Sequence, residues 1–187
     1  MYNIFSIMTE AEIAVLDYIQ KFTNPVFDAV MPFLSALCAH GEIWIAAALI
    51  MLCFAKTRRT GMAVAFALIF GLVSCNMVLK PLVARIRPYE FTDIQLIVAR
   101  LDDYSFPSGH TIASFEAAGA MLFTRSKFTV PAFVLAVLIA FSRLYLYVHF
   151  PTDVITSIVL GIIFAFLATK LADFIISKAP GIIKEKK

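Results

Sequence analysis

The sequence predicts an all-α, polytopic membrane protein, and its composition and segment pattern support this. Hydrophobic residues make up 61% of the 187 residues, and the mean hydropathy is +0.87. A chain this apolar cannot bury its hydrophobic surface in one soluble core. Long hydrophobic segments also recur, separated by short polar loops. We therefore expect six transmembrane helices, preceded by an amphipathic helix at the membrane interface.

The interfacial helix is predicted between residues 10 and 22. Apolar Ile13 and Leu16 alternate with polar residues such as Asp17, a pattern typical of a helix that lies in the plane of the membrane surface. Asn24-Pro25 ends it. No basic residue precedes a short apolar run at the start of the chain, so we do not expect a cleaved signal peptide.

The six hydrophobic segments lie at residues 25–40, 42–55, 61–83, 108–124, 128–148 and 151–176. Several reach the roughly 17–25 residues that a membrane-spanning helix needs. The first is short and contains Asp28 and Pro32, so the alternative is a five-span protein with a re-entrant start. No repeat or linker divides the sequence, and residues 1–187 are expected to form one domain.

Basic residues between the segments predict the orientation. They lie in the second loop, in the fourth loop and after the last segment: Lys56, Arg58, Arg59, Arg125, Lys127, Lys178, Lys184, Lys186 and Lys187. The positive-inside rule makes this face and both termini cytoplasmic. The net charge of +3 is scattered, without the basic stripe of a nucleic-acid-binding protein. Nucleic acid is therefore excluded as a partner.

Polar clusters fall at the opposite, extracytoplasmic ends of the segments. They are Lys80 with Arg87-Pro88, then Pro107-Ser108-Gly109-His110, then Ser142-Arg143 followed by His149 and Asp153. A Lys, Arg or Asp at the centre of a membrane helix costs about 2.5–3.5 kcal/mol on insertion scales, so a chain this apolar rarely keeps such residues without a function. The predicted topology brings all of them to one membrane surface, where they could form a single site.

The first cluster can bind an anion. On a continuous helix, Lys80 and Arg87 would share a face with their Cα atoms about 10 Å apart, although Pro81 and Pro88 can distort or end that helix. The alternative is that both are interfacial charges whose long side chains reach the membrane surface.

The second cluster begins the fourth segment, where free backbone amides and the helix dipole favour an anion. Gly109 has no side chain to block a close approach. The alternative interpretation is that Ser108 is an ordinary N-cap residue. The presence of His110 favours a catalytic role for this cluster, because acid catalysis uses an imidazole and a helix cap does not.

In the third cluster, Pro151 is well placed to begin the last helix, which puts Asp153 in its first turn and within reach of His149. A carboxylate that holds one imidazole nitrogen fixes the tautomer and leaves the other nitrogen free to attack. The alternative is that Asp153 only complements the helix dipole and His149 is an interfacial histidine.

The ordered motifs Lys-x6-Arg-Pro, Pro-Ser-Gly-His and Ser-Arg-x5-His-x3-Asp resemble the type 2 phosphatidic acid phosphatase superfamily, lipid phosphate phosphatases that share a site with vanadium-dependent haloperoxidases. Every signature position between Lys80 and Asp153 is filled. The resemblance implies a phosphatase that needs no metal or cofactor. His149 would form a phosphohistidine, Asp153 would orient it, and His110 would protonate the leaving oxygen. The phosphoryl oxygens would be bound by Lys80, Arg87, Ser108, Gly109 and Arg143.

The substrate is expected to be a lipid phosphate or pyrophosphate in the bilayer. The short chain resembles small bacterial undecaprenyl-diphosphate phosphatases; phosphatidate, phosphatidylglycerophosphate and diacylglycerol pyrophosphate are the alternatives. A transporter or an inactive lipid-binding relative is disfavoured, because both histidines are intact and the charges group at one surface. Glu116 is interpreted as hydrogen-bonded to a neighbouring helix, or else as part of the leaving-group pocket. The 84–107 loop could cap the pocket.

Overall fold

The computed structural model describes residues 4–179, with side chains from residue 9 onward. Within that range the chain forms helices and loops without a strand, and the predicted all-α class is confirmed. The α-helices are α1 (Ile4–Gln20), α2 (Pro25–Ala36), α3 (Glu42–Cys53), α4 (Arg58–Gly71), α5 (Lys80–Val83), α6 (Gly109–Phe123), α7 (Thr129–Tyr145) and α8 (Pro151–Lys178). The three lysines predicted to mark the cytoplasmic C-terminus, Lys184, Lys186 and Lys187, lie outside the described residues.

Helix α4 continues through a π-helical segment, Leu72–Leu79, into α5. Pro81 lacks an N–H and its ring would clash with the carbonyl of residue 77 in a regular α-helix, and the wider turn before it accommodates the ring. The helix ends at Ala84, whose φ of 48° is left-handed. The chain therefore turns between Lys80 and Arg87, and the continuous helix that would carry both on one face is not present.

Helix α6 occupies the centre of the bundle, with α4, α7 and α8 packed around it. Two glycines allow α6 and α8 to approach closely. A Cβ at Gly119 would lie 2.7 Å from the Cβ of Ala165, and one at Gly161 would lie 3.0 Å from the Cβ of Phe115. Small residues at such crossings let the backbones of membrane helices pack tightly. This packing fixes the first turns of α6 and α8 next to each other.

Helices α1 and α2 cover the end of the bundle where α7 ends and α8 begins. Leu16 of α1 and Met31 of α2 are buried there in one hydrophobic cluster with Tyr145 and Tyr147. Three hydrogen bonds reinforce the contact: Gln20 Nε2 donates to the Tyr145 carbonyl (2.7 Å), Tyr147 Oη to Asp17 (2.8 Å) and Tyr145 Oη to Asp28 (2.6 Å).

Both ends of α2 contact the same end of α7. Asp28, in the first turn of α2, binds Tyr145, and Ser35, in its last turn, accepts a hydrogen bond from Arg143. A helix that crossed the membrane beside α7 would instead bring its two ends to opposite ends of α7. The contacts of α2 therefore differ from the expectation that the first hydrophobic segment spans the bilayer.

Two stretches of the described chain are long and apolar enough to cross a membrane. They are Arg58–Glu90, which contains α4, the π-helical segment and α5, and Pro151–Lys178, which is α8. Helices α2, α3 and α7 are apolar but shorter. A helix overlaps each of the six predicted segments, but six crossings are not shown.

Candidate active site

The three predicted clusters meet in one cavity of about 750 Å³. Six of the predicted site residues line it: Lys80, Arg87, Gly109, His110, Arg143 and His149. Ser108 and Asp153 are fully buried and are not part of the cavity lining. The folded chain thus brings together residues from the start of α5 and the loop after it, the start of α6, the end of α7, and the α7–α8 loop with the first turn of α8.

His149 lies in the short loop between α7 and α8 and is 2% exposed. Its Nε2 is 3.4 Å from Nη1 of Arg87. Its Nδ1 lies 3.6 Å from Oδ2 of Asp153, which is too long for a hydrogen bond. Burial lowers the pKa of His149 to about 3, against the opposing effect of Asp153. The ring is therefore neutral at physiological pH, the form that a nucleophile needs.

Asp153 is held by several donors. Its carboxylate accepts hydrogen bonds from the backbone N–H of Phe150 (3.0 Å), the hydroxyl of Ser105 and Nη1 of Arg85 (2.6 Å). The contact with Phe150 caps α8, so the capping role and the position beside His149 coexist. Arg85 also pairs with Glu12 of α1 and lies 3.9 Å from the centre of the Phe150 ring.

Glu12 joins α1 to the start of α8 through its second carboxylate oxygen. Oε1 accepts from the backbone N–H of Thr152 (2.9 Å) and from its hydroxyl (2.6 Å). The first helix thus contacts the turn that carries Asp153.

Lys80 and Arg87 converge on one anion, as the sequence predicted, but that anion is a side chain. Nζ of Lys80 pairs with one carboxylate oxygen of Asp103, and Nη2 of Arg87 pairs with the other. Nε of Arg87 also donates to the Asp103 carbonyl (2.9 Å), and its Nη1 donates to the Val148 carbonyl (2.6 Å). Burial raises the pKa of Asp103, but the two cations outweigh it and lower the pKa to about 2.

Arg143, in the last turn of α7, is 3% exposed and has a different environment. Nη1 donates to the hydroxyl of Ser35, and its Nε has no hydrogen-bond partner among the described residues. Within residues 4–179 no carboxylate lies at ion-pair distance from it. Its charge therefore faces the cavity and is not paired with a carboxylate of the described residues.

Ser108 is the N-cap residue of α6, but its side chain makes no capping hydrogen bond. Its Oγ accepts from Thr111 (2.9 Å), and its backbone N–H donates to Ser157 of α8 (2.8 Å). An ordinary N-cap therefore does not describe it. A Cβ at Gly109 would meet only Asn76, at 3.8 Å, which is ordinary contact. The next residue, His110, lines the cavity.

Glu116 lines the same cavity deeper in α6 and is 1% exposed. Its Oε1 has no hydrogen-bond partner among the described residues. A Cβ at Gly71 of α4 would overlap the Glu116 carboxylate, so that glycine makes room for it. The hydrogen bond to a neighbouring helix that the sequence favoured is thus not seen at Oε1.

Away from the cations, the cavity becomes an apolar groove between α3 and α4. Its walls are aliphatic: Ile45, Ala48, Leu49, Leu52, Ala65, Leu68, Ile69 and Leu72. A cavity with a cationic end and an aliphatic groove suits an amphiphile whose polar head is an anion.

The profile of the PAP2 superfamily matches residues 60–176, more than half of the chain. The chain belongs to the PAP2 superfamily. It is 32% identical to an undecaprenyl-diphosphatase of Sulfolobus acidocaldarius, over 77% of this chain and 70% of the relative. It is 28% identical to the undecaprenyl-diphosphatase BcrC of Bacillus subtilis, over 81% of this chain and 78% of the relative.

The fold also resembles a solved PAP2 structure. The transmembrane PAP2-type phosphatidylglycerolphosphate phosphatase of Bacillus subtilis superposes with a TM-score of 0.73 at 25% identity, covering 90% of this chain and 88% of the other. The predicted family resemblance is confirmed, and this PAP2 protein is a membrane-bound lipid phosphatase.

The PAP2 signature does not contain every residue that shapes this site. Sequence reasoning assigned no role to Arg85 or Ser105, which hold Asp153, or to Asp103, which holds Lys80 and Arg87. All three lie in the 84–107 loop, where no periodic pattern distinguishes one polar residue from the next. The only available signal was that basic residues on the predicted extracytoplasmic face oppose the positive-inside rule.

Proposed function

We propose that this PAP2 protein hydrolyses a phosphate or diphosphate monoester of a lipid, with undecaprenyl diphosphate, converted to undecaprenyl phosphate, as the first candidate. The observation that carries the proposal is the cavity, which joins a cationic end containing both signature histidines to an aliphatic groove. Two relatives are undecaprenyl-diphosphatases by name, which supports a prenyl tail in that groove.

In the proposed reaction, Nε2 of His149 attacks phosphorus, and the bond from phosphorus to the leaving oxygen breaks. Attack by Nε2 requires the proton to sit on Nδ1, and the nearby Asp153 carboxylate favours that tautomer. His110 donates a proton to the leaving oxygen. Water then hydrolyses the phosphohistidine, with His110 acting as the base.

The phosphoryl oxygens would be bound by Lys80, Arg87 and Arg143, together with the Ser108 hydroxyl and the Gly109 amide. Preorganised donors aimed at developing charge are usually the largest contribution to catalysis. Three cations and the N-terminus of α6 supply this stabilisation, so the proposal requires no metal ion.

A glycerophospholipid phosphate is the second candidate, because the structural relative is a phosphatidylglycerolphosphate phosphatase. The test is phosphate release by the purified protein from undecaprenyl diphosphate, phosphatidylglycerophosphate, phosphatidate and diacylglycerol pyrophosphate, with a chelator present. We expect the highest kcat/KM for undecaprenyl diphosphate. Release from none of these lipids would reject the proposed activity, and inhibition by the chelator would reject the metal-free reaction.

We also propose that the chain crosses the membrane five times, through α3, the α4–α5 helix, α6, α7 and α8. Both ends of α2 contact the last turn of α7, which supports the re-entrant alternative for the first hydrophobic segment. The positive-inside rule then places the site and α1 outside and the C-terminus in the cytoplasm. Such a topology replaces the predicted cytoplasmic N-terminus. The whole chain forms one domain.

Cysteine labelling in intact cells tests this topology. After replacement of the native cysteines, Thr23→Cys is placed in the exposed α1–α2 loop and Lys56→Cys in the exposed α3–α4 loop. An impermeant maleimide should label the first variant and spare the second, and both should react after the cells are opened. Protection of both in intact cells would favour six crossings instead.

A further inference from the structure

The site contains an anionic side chain of its own. The carboxylate of Asp103 pairs with Lys80 and Arg87, and all three side chains line the cavity. A phosphoryl oxygen that binds to these two cations needs the positions that the carboxylate oxygens of Asp103 occupy.

We propose that Asp103 is a specificity-determining residue that competes with phosphate for Lys80 and Arg87 and so excludes anions that lack a lipid tail. This inference rests on the proposed function of the same site. Substrate binding requires Asp103 to release both cations, and Asp103 returns to them when the product leaves.

Asp103 is placed to move, whereas its partners are not. Its side chain is 53% exposed, while those of Lys80 and Arg87 are 11% and 4% exposed. The surrounding residues, 101–104, are all exposed and lie outside any helix. A carboxylate at the surface regains water when its ion pairs break, which keeps the cost of release small.

Displacement of Asp103 costs the same for every phosphate group. Ligands therefore differ in what else favours their binding. Inorganic phosphate replaces the ion pairs of Asp103 with similar ones, so its net gain at this wall is small. A lipid phosphate is instead confined to the bilayer by its tail, so its effective concentration beside the site is high and offsets the cost of displacing Asp103. The competing carboxylate lowers the affinity for both ligands. The lipid phosphate, held at the membrane, still binds, whereas released inorganic phosphate diffuses away and inhibits little.

A purely positioning role for Asp103 makes the opposite prediction. If Asp103 only held Lys80 and Arg87 in place, its loss would disorder two cations and weaken the binding of every phosphate. The sign of the change in phosphate affinity therefore distinguishes the two roles.

The test measures the Kd of inorganic phosphate for the purified protein by calorimetry, without any lipid substrate. We expect Asp103→Asn to bind phosphate about tenfold more tightly, equal to roughly 1.4 kcal/mol, and Asp103→Glu to resemble the wild type. Asp102→Asn is the matched control, because Asp102 is the exposed neighbour, lines the same cavity and makes none of the ion pairs. Its Kd should stay within about twofold of the wild-type value.

Unchanged or weaker phosphate binding by Asp103→Asn overturns the proposal, as does an equal gain in Asp102→Asn. Thermal unfolding in detergent checks that each variant is folded, and Asp103→Ser replaces Asp103→Asn if the latter is not. The calorimetry needs no turnover. Failure to hydrolyse any lipid would therefore reject the proposed function and leave the result on Asp103 readable.

Discussion

The cavity has two cationic walls, Lys80 with Arg87 on one and Arg143 on the other. They differ in whether a carboxylate of the chain already pairs with the charge. On one wall, Lys80 and Arg87 are both paired with Asp103. On the other, Arg143 is held by the hydroxyl of Ser35, and its Nε has no partner among the described residues. In the sequence motifs the three cations are equivalent. In the folded chain, Asp103 neutralises Lys80 and Arg87, and Arg143 remains unpaired, within residues 4–179, for an incoming phosphate.

This difference also predicts which cation contributes most to phosphate binding. A buried cation without a paired carboxylate gains a new ion pair when an anion binds, while a paired cation contributes only the difference between two partners. We therefore expect Arg143 to dominate the first contact with the phosphate. Lys80 and Arg87 would add to it once Asp103 has left.

The largest expected effect comes from removing the proposed nucleophile, His149, while the cations of both walls stay in place. His149→Ala should lower turnover by about 10⁴-fold or more, because no phosphoenzyme can form. The binding of inorganic phosphate should remain, since all three cations are still present. Phosphate release from the lipid panel and calorimetry measure the two quantities. Trapping labelled phosphate on a residue other than His149 would contradict the assignment.

The next test compares the walls directly. Arg143→Ala should cost about 4 kcal/mol in kcat/KM and Lys80→Ala about 2.7 kcal/mol, the upper and lower ends of the range for a lost oxyanion-hole donor. The order follows because Arg87 can still bind the phosphate after Lys80 is lost, whereas nothing replaces Arg143. Steady-state kinetics on one lipid substrate measure both. The reverse order would show that the Asp103 pairs do not reduce the contribution of Lys80.

Two glycine variants compare the cationic end of the cavity with its deeper part beside Glu116. Gly71→Ala should destabilise the fold by about 1–3 kcal/mol, because the new methyl group would overlap the Glu116 carboxylate. Gly109→Ala should leave thermal stability unchanged, because its methyl group meets only Asn76, and should instead raise the KM for the lipid. Thermal unfolding and kinetics decide both. Equal loss of stability in the two variants would contradict the geometry.

The smallest expected effect is a loss of folding stability at acidic pH. The folded-state pKa of Asp103 is about 2, below its ordinary 3.8, so the carboxylate stabilises the fold above pH 4. That contribution is lost as pH falls from about 4 towards 2. It should stay under about 1 kcal/mol, because the side chain is half exposed. Comparing thermal unfolding of the wild type and Asp103→Asn between pH 5 and pH 3 measures it. An identical acid response in both would contradict the prediction.

Much of this architecture could be predicted from the sequence. Hydrophobic segments separated by polar loops located a helix in each of six segments, because a membrane helix is recorded locally as an apolar run. The motifs around Lys80, His110 and His149 indicated one surface, and in the structure these residues line one cavity. Both predictions depend on information that is local in the chain.

What could not be predicted depends on contacts between distant residues. Hydropathy cannot tell whether α2 crosses the bilayer or packs over the end of α7, because an apolar helix suits both. The pairing of Asp103 with Lys80 is set by how an irregular loop folds back. The third segment was predicted to end at residue 83, but the left-handed turn at Ala84 was not predicted, since alanine is an ordinary helix former.

The position of Glu12 has a practical consequence for handling the protein. Its carboxylate ties the first helix to Arg85 and Thr152, next to Asp153 and the proposed nucleophile His149. A substitution of Glu12, or a purification tag that displaces α1, is therefore expected to disturb the turn that carries Asp153, although Glu12 is far from every signature motif in the chain. An affinity handle attached after α8 is the safer choice for kinetic work.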